Sequence, residues 1–204
     1  STSGQNLSLE LVNLAAKPEE AVKLIQVPVE LFSRASNGQF GQFSFLEWSP
    51  DSDSLLIKHS FDQSSELINL RVNNPEQSSN LTRTLAASIT QAHFNPDSKL
   101  DILLNAELRQ YSPTNLSLEQ TIATNLTSFK AFEDQTYLYT KNSSTSPGSL
   151  ELYAQQSSNT PVLISTFSSL DPSQIDYNYT VNRRNGYLTV IDNTKKELQV
   201  FKNP

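Results

Sequence analysis

Apolar and polar residues alternate along short stretches of this chain, and the alternation has the period of a β-strand. Residues 66–72 (ELINLRV) alternate nearly residue by residue, residues 54–59 form an apolar run that ends in alternation, and residues 187–191 are rich in aromatic and β-branched side chains. Turn-forming residues separate such runs at intervals of roughly 8–12 residues. The pattern predicts an all-β fold: a sandwich, a barrel or a propeller.

One segment has a helical pattern instead. Pro18 would occupy the first turn of a helix over residues 18–25, and the two acidic residues after it favour a helix N-terminus. The segment is short, and a strand is the alternative interpretation.

The predicted strands follow a repeated order. An aromatic residue closes the first strand of each repeat; these residues are Trp48, Phe94, Phe132 and Tyr179. An apolar strand follows, and then a strand that contains Glu-Leu; the four Glu-Leu strands read SELINLRV, AELRQYSP, SLELYAQQ and KELQVFKN. The segment LSLELVNL at residues 7–14 reads like one more copy. The chain therefore repeats a unit of roughly 40–47 residues.

A repeat of this length with three or four strands has the size of one propeller blade. A single four-stranded sheet leaves both of its faces exposed, whereas stacking the blades around an axis buries them. We therefore predict a β-propeller in which each closing aromatic residue fills the space between neighbouring blades.

The turn after the closing aromatic residue is the same in two repeats. The stretches WSPDS (residues 48–52) and FNPDS (residues 94–98) place Pro at the first corner of a tight turn, beside Asp and Ser side chains that can bond nearby backbone N–H groups. They resemble the turn of TolB-type and WD40-like (PD40-type) propeller repeats. Ser stands in both copies where those repeats usually have Gly, and the third and fourth repeats lack the Pro-Asp pair.

This resemblance covers residues 43–204 and implies a TolB-like or WD40-like β-propeller. The chain is also rich in Ser, Thr, Asn and Gln and has no Cys. In this it resembles the propeller part of bacterial envelope proteins that carry an upstream PEGA domain, although no residue here belongs to such a domain.

We expect a single β-propeller domain or fragment over residues 1–204, a partial propeller of about four or five blades. The predicted blades span residues 43–87, 88–126 and 127–170, with partial blades at residues 1–42 and 171–204. The two end segments share one closing blade, or further blades precede this sequence. We favour the second alternative, because the sequence begins at Ser1 and contains no Met.

Charge and composition narrow the range of partners. The net charge is −6, and the longest basic runs are the pairs Arg183-Arg184 and Lys195-Lys196. A nucleic-acid or anionic membrane surface needs clustered basic residues, so we expect neither as a partner. No apolar run approaches the roughly 20 residues that span a bilayer, so we expect no membrane insertion. The absence of Cys excludes disulfides, thiolate metal sites and a Cys nucleophile.

The two histidines, His59 and His93, are the first candidates for catalysis. A Ser-His-Asp triad needs a nucleophile, and no G-x-S-x-G elbow is present to supply one. Two histidines without a thiol also make a poor zinc site. We interpret both as strand residues at the surface or between blades.

The carboxylates suggest two other chemistries. Asp51 and Asp53 have the alternate spacing of calcium ligands, but the Gly and the distal Glu of a calcium loop are missing, so we interpret them as turn residues. A glycosidase needs two carboxyl groups across a cleft, and the candidate pairs are Glu19-Glu20, Glu133-Asp134 and Asp171 with Asp176.

Arginines and sequons give weak signals. The arginines show no recurring placement of the kind a sialidase-like site would need; they are Arg34, Arg71, Arg83, Arg109, Arg183 and Arg184. Asn-x-Ser/Thr sequons arise readily in a chain this rich in those residues; they begin at Asn6, Asn80, Asn115, Asn125, Asn142 and Asn178. With only 5 Gly, the chain has no phosphate-binding loop, and we expect no cofactor.

The sequence thus predicts no catalytic residue, no cofactor-binding residue and no metal ligand, and it assigns no ligand-binding residue. We expect a non-enzymatic, monomeric propeller module that binds a protein or a glycan in a bacterial cell-envelope or extracellular protein. Two alternatives stay open: a structural spacer without a ligand site, and a hydrolase with carboxylates around the propeller axis.

Overall fold

The computed structural model describes residues 6–12, 22–132, 135–156, 159–168, 175–182, 185–193 and 195–202, and strands dominate them. The strands of the first half are β1 (Asn6–Val12), β2 (Val22–Pro28), β3 (Gln42–Trp48), β4 (Ser54–Phe61), β5 (Ser64–Arg71), β6 (Ser79–Asn80), β7 (Ile89–Phe94) and β8 (Leu100–Leu104). Those of the second half are β9 (Glu107–Tyr111), β10 (Leu118–Thr124), β11 (Leu126–Ala131), β12 (Thr136–Asn142), β13 (Leu150–Gln156), β14 (Val162–Phe167), β15 (Ile175–Asn182), β16 (Asn185–Asp192) and β17 (Glu197–Lys202). The helices are short; they are α1 (Leu81–Thr84) and 3-10 turns at Val29–Leu31 and Pro75–Gln77.

The strands form a series of sheets in chain order. The four-stranded sheets have the orders β3-β4-β5-β6, β10-β9-β8-β7 and β11-β12-β13-β14, the first sheet pairs β1 with β2, and the last has the order β15-β16-β17. Each strand therefore pairs with its neighbour in sequence, as in the blade of a propeller. The all-β class predicted from the alternation is confirmed. The predicted blade limits stay a prediction.

The helix predicted over residues 18–25 is wrong where the structure describes it. Residues 22–25 belong to β2, and residues 18–21 lie outside the described part of the chain. Ile25 and Val27 are buried while Gln26 between them is exposed. This two-residue period, with β-branched side chains facing inward, suits a strand paired to β1.

The two Pro-Asp turns have the same backbone geometry. The Ser52 N–H donates to the Ser49 carbonyl (2.8 Å), and the Ser98 N–H donates to the Asn95 carbonyl (2.9 Å). Ser52 and Ser98 have φ angles of 59° and 60°, the left-handed region where the related repeats have Gly. The turns also contact each other, because the Asp51 N–H donates to Ser98 Oγ (3.2 Å). The repeat predicted from sequence is thus a repeat of structure at these two corners.

The first residue of each turn holds the corner through its side chain. Ser49 Oγ accepts from the Ser54 N–H (2.9 Å), and Asn95 Oδ1 accepts from the N–H groups of Asp97 and Lys99 (both 3.0 Å). These hydrogen bonds satisfy backbone N–H groups of the turn that have no partner in a neighbouring strand. Ser and Asn are interchangeable at this position because either side chain offers an acceptor oxygen.

The third repeat keeps the turn without the Pro-Asp pair, but displaced by one residue from the predicted alignment. The Gln135 N–H donates to the Phe132 carbonyl (3.0 Å), the Phe132 N–H donates to the Thr136 carbonyl (3.0 Å), and Gln135 has φ 61°. Asn95 makes the corresponding backbone bonds in the second repeat. Phe132 therefore corresponds to Asn95 and not to Phe94, and its assignment as a strand-closing aromatic residue is wrong.

The fourth predicted repeat also needs correction. Tyr179 lies in the middle of β15, where it pairs with Leu188 of β16, and β15 continues to Asn182. Tyr179 therefore does not close a strand. The strands that contain Glu-Leu occupy equivalent places in the structure: in chain order, β5, β9, β13 and β17 are each the third strand of their sheet.

The chain forms two compact units, each with its own core. The first unit comprises Ser1–Asp101 and Tyr111–Ser117, and the second comprises Ile102–Gln110 and Leu118–Pro204. In the first unit the β1–β2 pair covers one face of the β3–β6 sheet; the buried residues are Ile25, Val27, Phe32, Leu55, Ile57, Ile68, Leu70 and Val72. In the second unit Leu138, Leu150, Leu152 and Phe167 pack with Val190 of the last sheet. Each interface joins the faces of neighbouring sheets, which is the packing predicted for stacked blades.

Candidate binding surfaces

His59 is fixed by a hydrogen bond at each ring nitrogen. Its side chain on β4 is fully buried; Nδ1 lies 2.9 Å from Glu66 Oε1, and Nε2 accepts the Gly41 N–H at 3.2 Å. Because Nε2 accepts, the proton of the neutral ring lies on Nδ1 and is donated to the carboxylate. Gly41 is required there, since a Cβ would lie 1.8 Å from the Ser60 carbonyl oxygen.

Aromatic rings enclose the same imidazole. Phe43 stacks on it at 4.5 Å between ring centroids, Phe61 stacks at 5.2 Å, and Phe32 meets it edge-on at 5.6 Å. The ring is therefore surrounded by apolar surface on the sides where it makes no hydrogen bond.

Glu66 is a buried carboxylate with a full set of donors. Oε1 accepts from the Ser33 N–H (2.7 Å) and from His59, and Oε2 accepts from Ser33 Oγ (2.8 Å) and Asn80 Nδ2 (2.8 Å). Burial raises the pKa of Glu66, but these hydrogen bonds outweigh the burial and hold the pKa below its ordinary value. The group is an anion with every oxygen in use, which suits a structural clasp and not an acid or base.

Of the two placements predicted for the histidines, at the surface or between blades, the buried His59 does not take the surface one. It is not a triad member, because its Nε2 accepts from the Gly41 N–H and not from a hydroxyl group. His93 on β7 lies 2.6 Å from Glu47 Oε2 of β3, and Glu47 also accepts the Phe94 N–H. His93 is half-buried between neighbouring sheets, as predicted.

The calcium interpretation of Asp51 and Asp53 gains no support. Asp51 Oδ1 accepts from Ser49 Oγ and from the Asp53 N–H (3.1 Å), while Asp53 pairs with the Arg71 guanidinium and accepts from Asn73 (2.7 Å). Slight burial raises the pKa of Asp51, but hydrogen bonds, led by the one from Ser49, lower it below its ordinary value. Internal donors thus occupy both carboxylates, and no group of three or more metal-ligating side chains occurs within the described residues.

The other candidate residues divide into structural and undescribed ones. Glu19-Glu20, Glu133-Asp134, Asp171 and the arginines Arg183 and Arg184 lie outside the described part of the chain. Asn80 is a buried N-cap whose Oδ1 accepts the Arg83 N–H and whose Nδ2 also donates to the Leu31 carbonyl, so this sequon is not presented at the surface. The remaining described arginines bond locally; Arg34 to Gly38, Arg83 to the Glu30 and Leu31 carbonyls, and Arg109 to Glu107.

A row of exposed aromatic side chains follows β3. Phe43, Phe45 and Trp48 are 41%, 60% and 47% exposed. They pair across the strands with His59, Ile57 and Leu55, so all three lie on the face whose β4–β5 part is covered by β1 and β2. We call Phe43, Phe45 and Trp48 the β3 row. The prediction that Trp48 fills the space between blades is wrong, whereas Phe94 is buried as predicted.

A second cluster lies in the other unit, on β12 and β13. The Tyr139 and Tyr153 rings stack at 5.8 Å, and Lys141 Nζ lies 5.2 and 5.5 Å from their centroids. Burial raises the pKa of Tyr139 to about 12, and burial lowers the pKa of Lys141. Hydrogen bonds from Ser143 Oγ (2.6 Å) and the Tyr153 hydroxyl (2.7 Å) lower the pKa of Glu151. Perturbed groups of this kind often mark binding sites.

Two members of this cluster, Tyr139 and Lys141, line a cleft of about 400 Å³. Its lining comes from β10, β12, the end of β13 and the turn before β14; the residues are Thr121, Ile122, Ala123, Thr124, Tyr139, Lys141, Gln155, Asn159, Thr160 and Pro161. We call it the β10 cleft. Hydroxyl and amide groups dominate its rim, and one ammonium group lies within it.

Sequence reasoning assigned no function to either surface, although signals for both were present. Alternation in QFSFLEW places Phe43 and Phe45 on one face of β3, and alternation in TYLYTKN places Tyr137, Tyr139 and Lys141 on one face of β12. Trp48 joins the face of Phe43 and Phe45 only through a β-bulge between Phe45 and Glu47, which the sequence pattern does not show. The alternation identifies a shared face but not whether another sheet covers it.

The chain is similar in structure to solved propellers from bacteria and fission yeast. The similar structures include TolB from Acinetobacter baumannii (14% identity, TM-score 0.47, all of this chain and 50% of that one) and an oligogalacturonate lyase from Vibrio parahaemolyticus (9%, 0.51, 96% and 59%). A third is the WD40 domain of SCAP from fission yeast (10%, 0.35, 97% and 61%). No protein-family model matches the sequence, and no curated protein matches it significantly.

These comparisons concern the fold alone, and the lyase likeness is the one strong enough to support it. Together with the series of four-stranded antiparallel sheets, it confirms a partial β-propeller fold. The chain spans 50% to 61% of the lengths of these three structures. The association with an upstream PEGA domain stays a prediction.

Proposed function

We propose that this chain is a non-enzymatic β-propeller module that binds a protein partner, as the interaction part of a bacterial cell-envelope or extracellular protein. The β3 row carries the proposal. Three large aromatic side chains on one strand face are between 41% and 60% exposed. A contiguous apolar patch of this kind usually marks an interaction site.

A protein surface suits the β3 row better than a glycan. Phe43, Phe45 and Trp48 lie on a single strand face, where they form an exposed apolar strip. Burying a large apolar side chain contributes about 1.5–3 kcal/mol. Three such side chains are enough for the hot spot of a protein interface, where Trp and other aromatic residues are common.

The state of the buried ionisable groups favours binding over catalysis. Glu66 accepts hydrogen bonds from Ser33, His59 and Asn80, and both nitrogens of His59 are in use. A general acid or base needs a proton that it can exchange with substrate. Other groups of the chain thus occupy the hydrogen-bonding atoms of both side chains.

The envelope or extracellular location rests on composition. Charged residues make up 18% of the chain, Cys is absent, and hydroxyl and amide side chains supply most of the polar surface. In the part of the chain that the structure describes, no helix is long and apolar enough to cross a membrane. Fractionation of the native host, followed with an antibody against this chain, tests the proposal, and recovery in the cytosolic fraction contradicts it.

A quantitative pull-down from envelope extract tests the partner. The bait is the intact protein, the test variant combines Phe45→Ser with Trp48→Ser, and the control combines Val162→Ser with Leu163→Ser, two apolar residues of β14 that are 60% and 49% exposed. We expect a partner that wild type and control recover equally and that the β3 variant loses by at least about tenfold. No partner with folded wild type supports the spacer alternative, and equal recovery by the β3 variant removes the β3 row from the proposal.

A further inference from the structure

The β10 cleft follows the edge of a strand. Four consecutive residues of β10, Thr121 to Thr124, line it. Side chains of a strand alternate between two faces, so a lining of four consecutive residues indicates that main-chain atoms of β10 border the cleft. β10 is the terminal strand of the order β10-β9-β8-β7, and β9 is its sole partner among the strands that the structure describes. The cleft therefore presents main-chain groups of an edge strand.

A side chain already occupies one position on this edge. Gln155 Nε2 donates to the Ile122 carbonyl at 3.5 Å, the outer limit of a hydrogen bond, where the N–H of an added strand would lie. The Tyr139 hydroxyl holds the other end of the amide by donating to Gln155 Oε1 at 2.9 Å. The Ile122 carbonyl thus accepts only a weak hydrogen bond from Gln155, which a backbone N–H of an added strand would replace.

Lys141 supplies a positive charge in the cleft, and the carboxylate that attracts it, Glu151, lies beyond ion-pair distance. Its ammonium lies over the rings of Tyr139 and Tyr153, and no carboxylate among the described residues forms an ion pair with it. Glu151, its cross-strand neighbour, instead accepts hydrogen bonds from Ser143 and Tyr153. A half-buried ammonium without an ion-pair partner favours an anionic ligand.

We propose that the β10 cleft binds an extended acidic peptide segment as an added strand, with a carboxylate of the segment on Lys141. The free edge supplies main-chain hydrogen bonds, and the single charge selects the acidic side chain. Thr121, Thr124 and Thr160 at the rim offer hydroxyl groups to the flanking residues. An acidic sugar fits less well, because Lys141 covers the tyrosine faces on which a sugar ring would stack.

Selection from a displayed library of random heptapeptides tests the proposal. The baits are wild type, Lys141→Met and a control, Lys195→Met, which removes an exposed lysine from the turn between β16 and β17. We expect wild type and the control to enrich Asp- or Glu-containing sequences and Lys141→Met to lose that preference. A selected peptide, measured by fluorescence polarisation, is expected to bind Lys141→Met at least about tenfold more weakly. Replacing its acidic residue by the amide should cost a similar factor for wild type and little for Lys141→Met.

Two further readouts decide the binding mode. Hydrogen exchange of the β10 amides is expected to slow when the peptide saturates the protein, as an added strand requires. The Phe45→Ser, Trp48→Ser variant should bind the peptide normally, so failure of the β3 proposal and failure of this one are distinguishable. No enrichment, enrichment indifferent to Lys141, or unchanged exchange of β10 would overturn the proposal. Lys141-dependent binding of glucuronic acid with no peptide selected would replace it with an acidic-sugar site.

Discussion

At the scale of single residues, the first unit depends on a buried carboxylate. Glu66 joins β5 to three other parts of the chain, since its donors come from Ser33 after the first sheet, His59 on β4 and Asn80 before α1. The hydrogen bonds to Glu66 stabilise the fold because every donor and acceptor of this group is paired. For the same reason, the stability of the fold is sensitive to the loss of any one of the four side chains.

Glu66→Ala should therefore be strongly destabilising. It leaves the Nδ1–H of His59, the Ser33 N–H and one Asn80 donor buried without an acceptor. Each buried donor that loses its acceptor costs about 1–3 kcal/mol. The measurement is urea unfolding followed by circular dichroism, with the exposed Glu76→Gln as the matched control. A decrease in the free energy of unfolding below about 1 kcal/mol would show that water replaces the hydrogen bonds made by Glu66.

The same carboxylate makes stability depend on pH in a predictable direction. The pKa of folded Glu66 lies below its ordinary value of 4.5, because hydrogen bonds outweigh burial. The stabilising free energy that ionised Glu66 contributes to folding is therefore fully present above pH 4.5 and is lost as the pH falls through the lowered pKa. Unfolding free energies of wild type and Glu66→Gln, measured from pH 7 downward, should converge below pH 4.5. A constant difference between the two proteins would contradict the assignment.

At the scale of elements, the repeated turn is defined by its backbone geometry, which different sequences can adopt. Ser52, Ser98 and Gln135 all adopt positive φ at the fourth residue of their turns. None is Gly, so each corner stores strain that its surroundings offset.

Glycine at the first corner should relieve that strain. A non-glycine residue in the left-handed region costs about 1–2 kcal/mol, part of which glycine loses again through the entropy of the unfolded chain. We expect Ser52→Gly to stabilise the protein by about 0.5–1 kcal/mol in urea unfolding. Ser98→Gly is the comparison, because it also removes the acceptor of the Asp51 N–H and should gain little. Equal gains would mean that the contact between the turns is energetically neutral.

The turns also show how far sequence could predict the elements. Where Pro-Asp-Ser is present, the corner and the strand after it could be assigned, because Pro presets φ and the Ser or Asn side chain accepts the loose N–H groups. In the third repeat those residues are absent, and the aromatic Phe132 was aligned one residue away from its structural counterpart. Over residues 22–25 the strand alternative is the correct one for a related reason: local propensity favours a helix, but pairing with β1 buries Ile25 and Val27.

At the scale of the whole molecule, sequence predicted the architecture better than the surfaces. Period and strand order indicate stacked sheets, because a lone sheet cannot cover its own faces. Which faces are covered depends on packing between distant segments. Leu55 and Trp48 are cross-strand neighbours on one face, yet Leu55 is 1% exposed and Trp48 is 47% exposed. No pattern within β3 or β4 distinguishes them.

That pair supports a prediction that separates a binding surface from a folding core. The double variant Phe45→Ser, Trp48→Ser should unfold within about 0.5 kcal/mol of wild type, because substitutions at exposed positions rarely cost more. Leu55→Ala on the same face should lose about 2–5 kcal/mol, because it leaves a cavity under β1 and β2. Circular dichroism follows both transitions, since Trp48 is the single tryptophan of the chain. If the double variant loses as much as Leu55→Ala, the β3 row belongs to the core that holds this chain together. If it loses nothing, the row contributes nothing to the folding of this chain, which is the result expected of a binding surface.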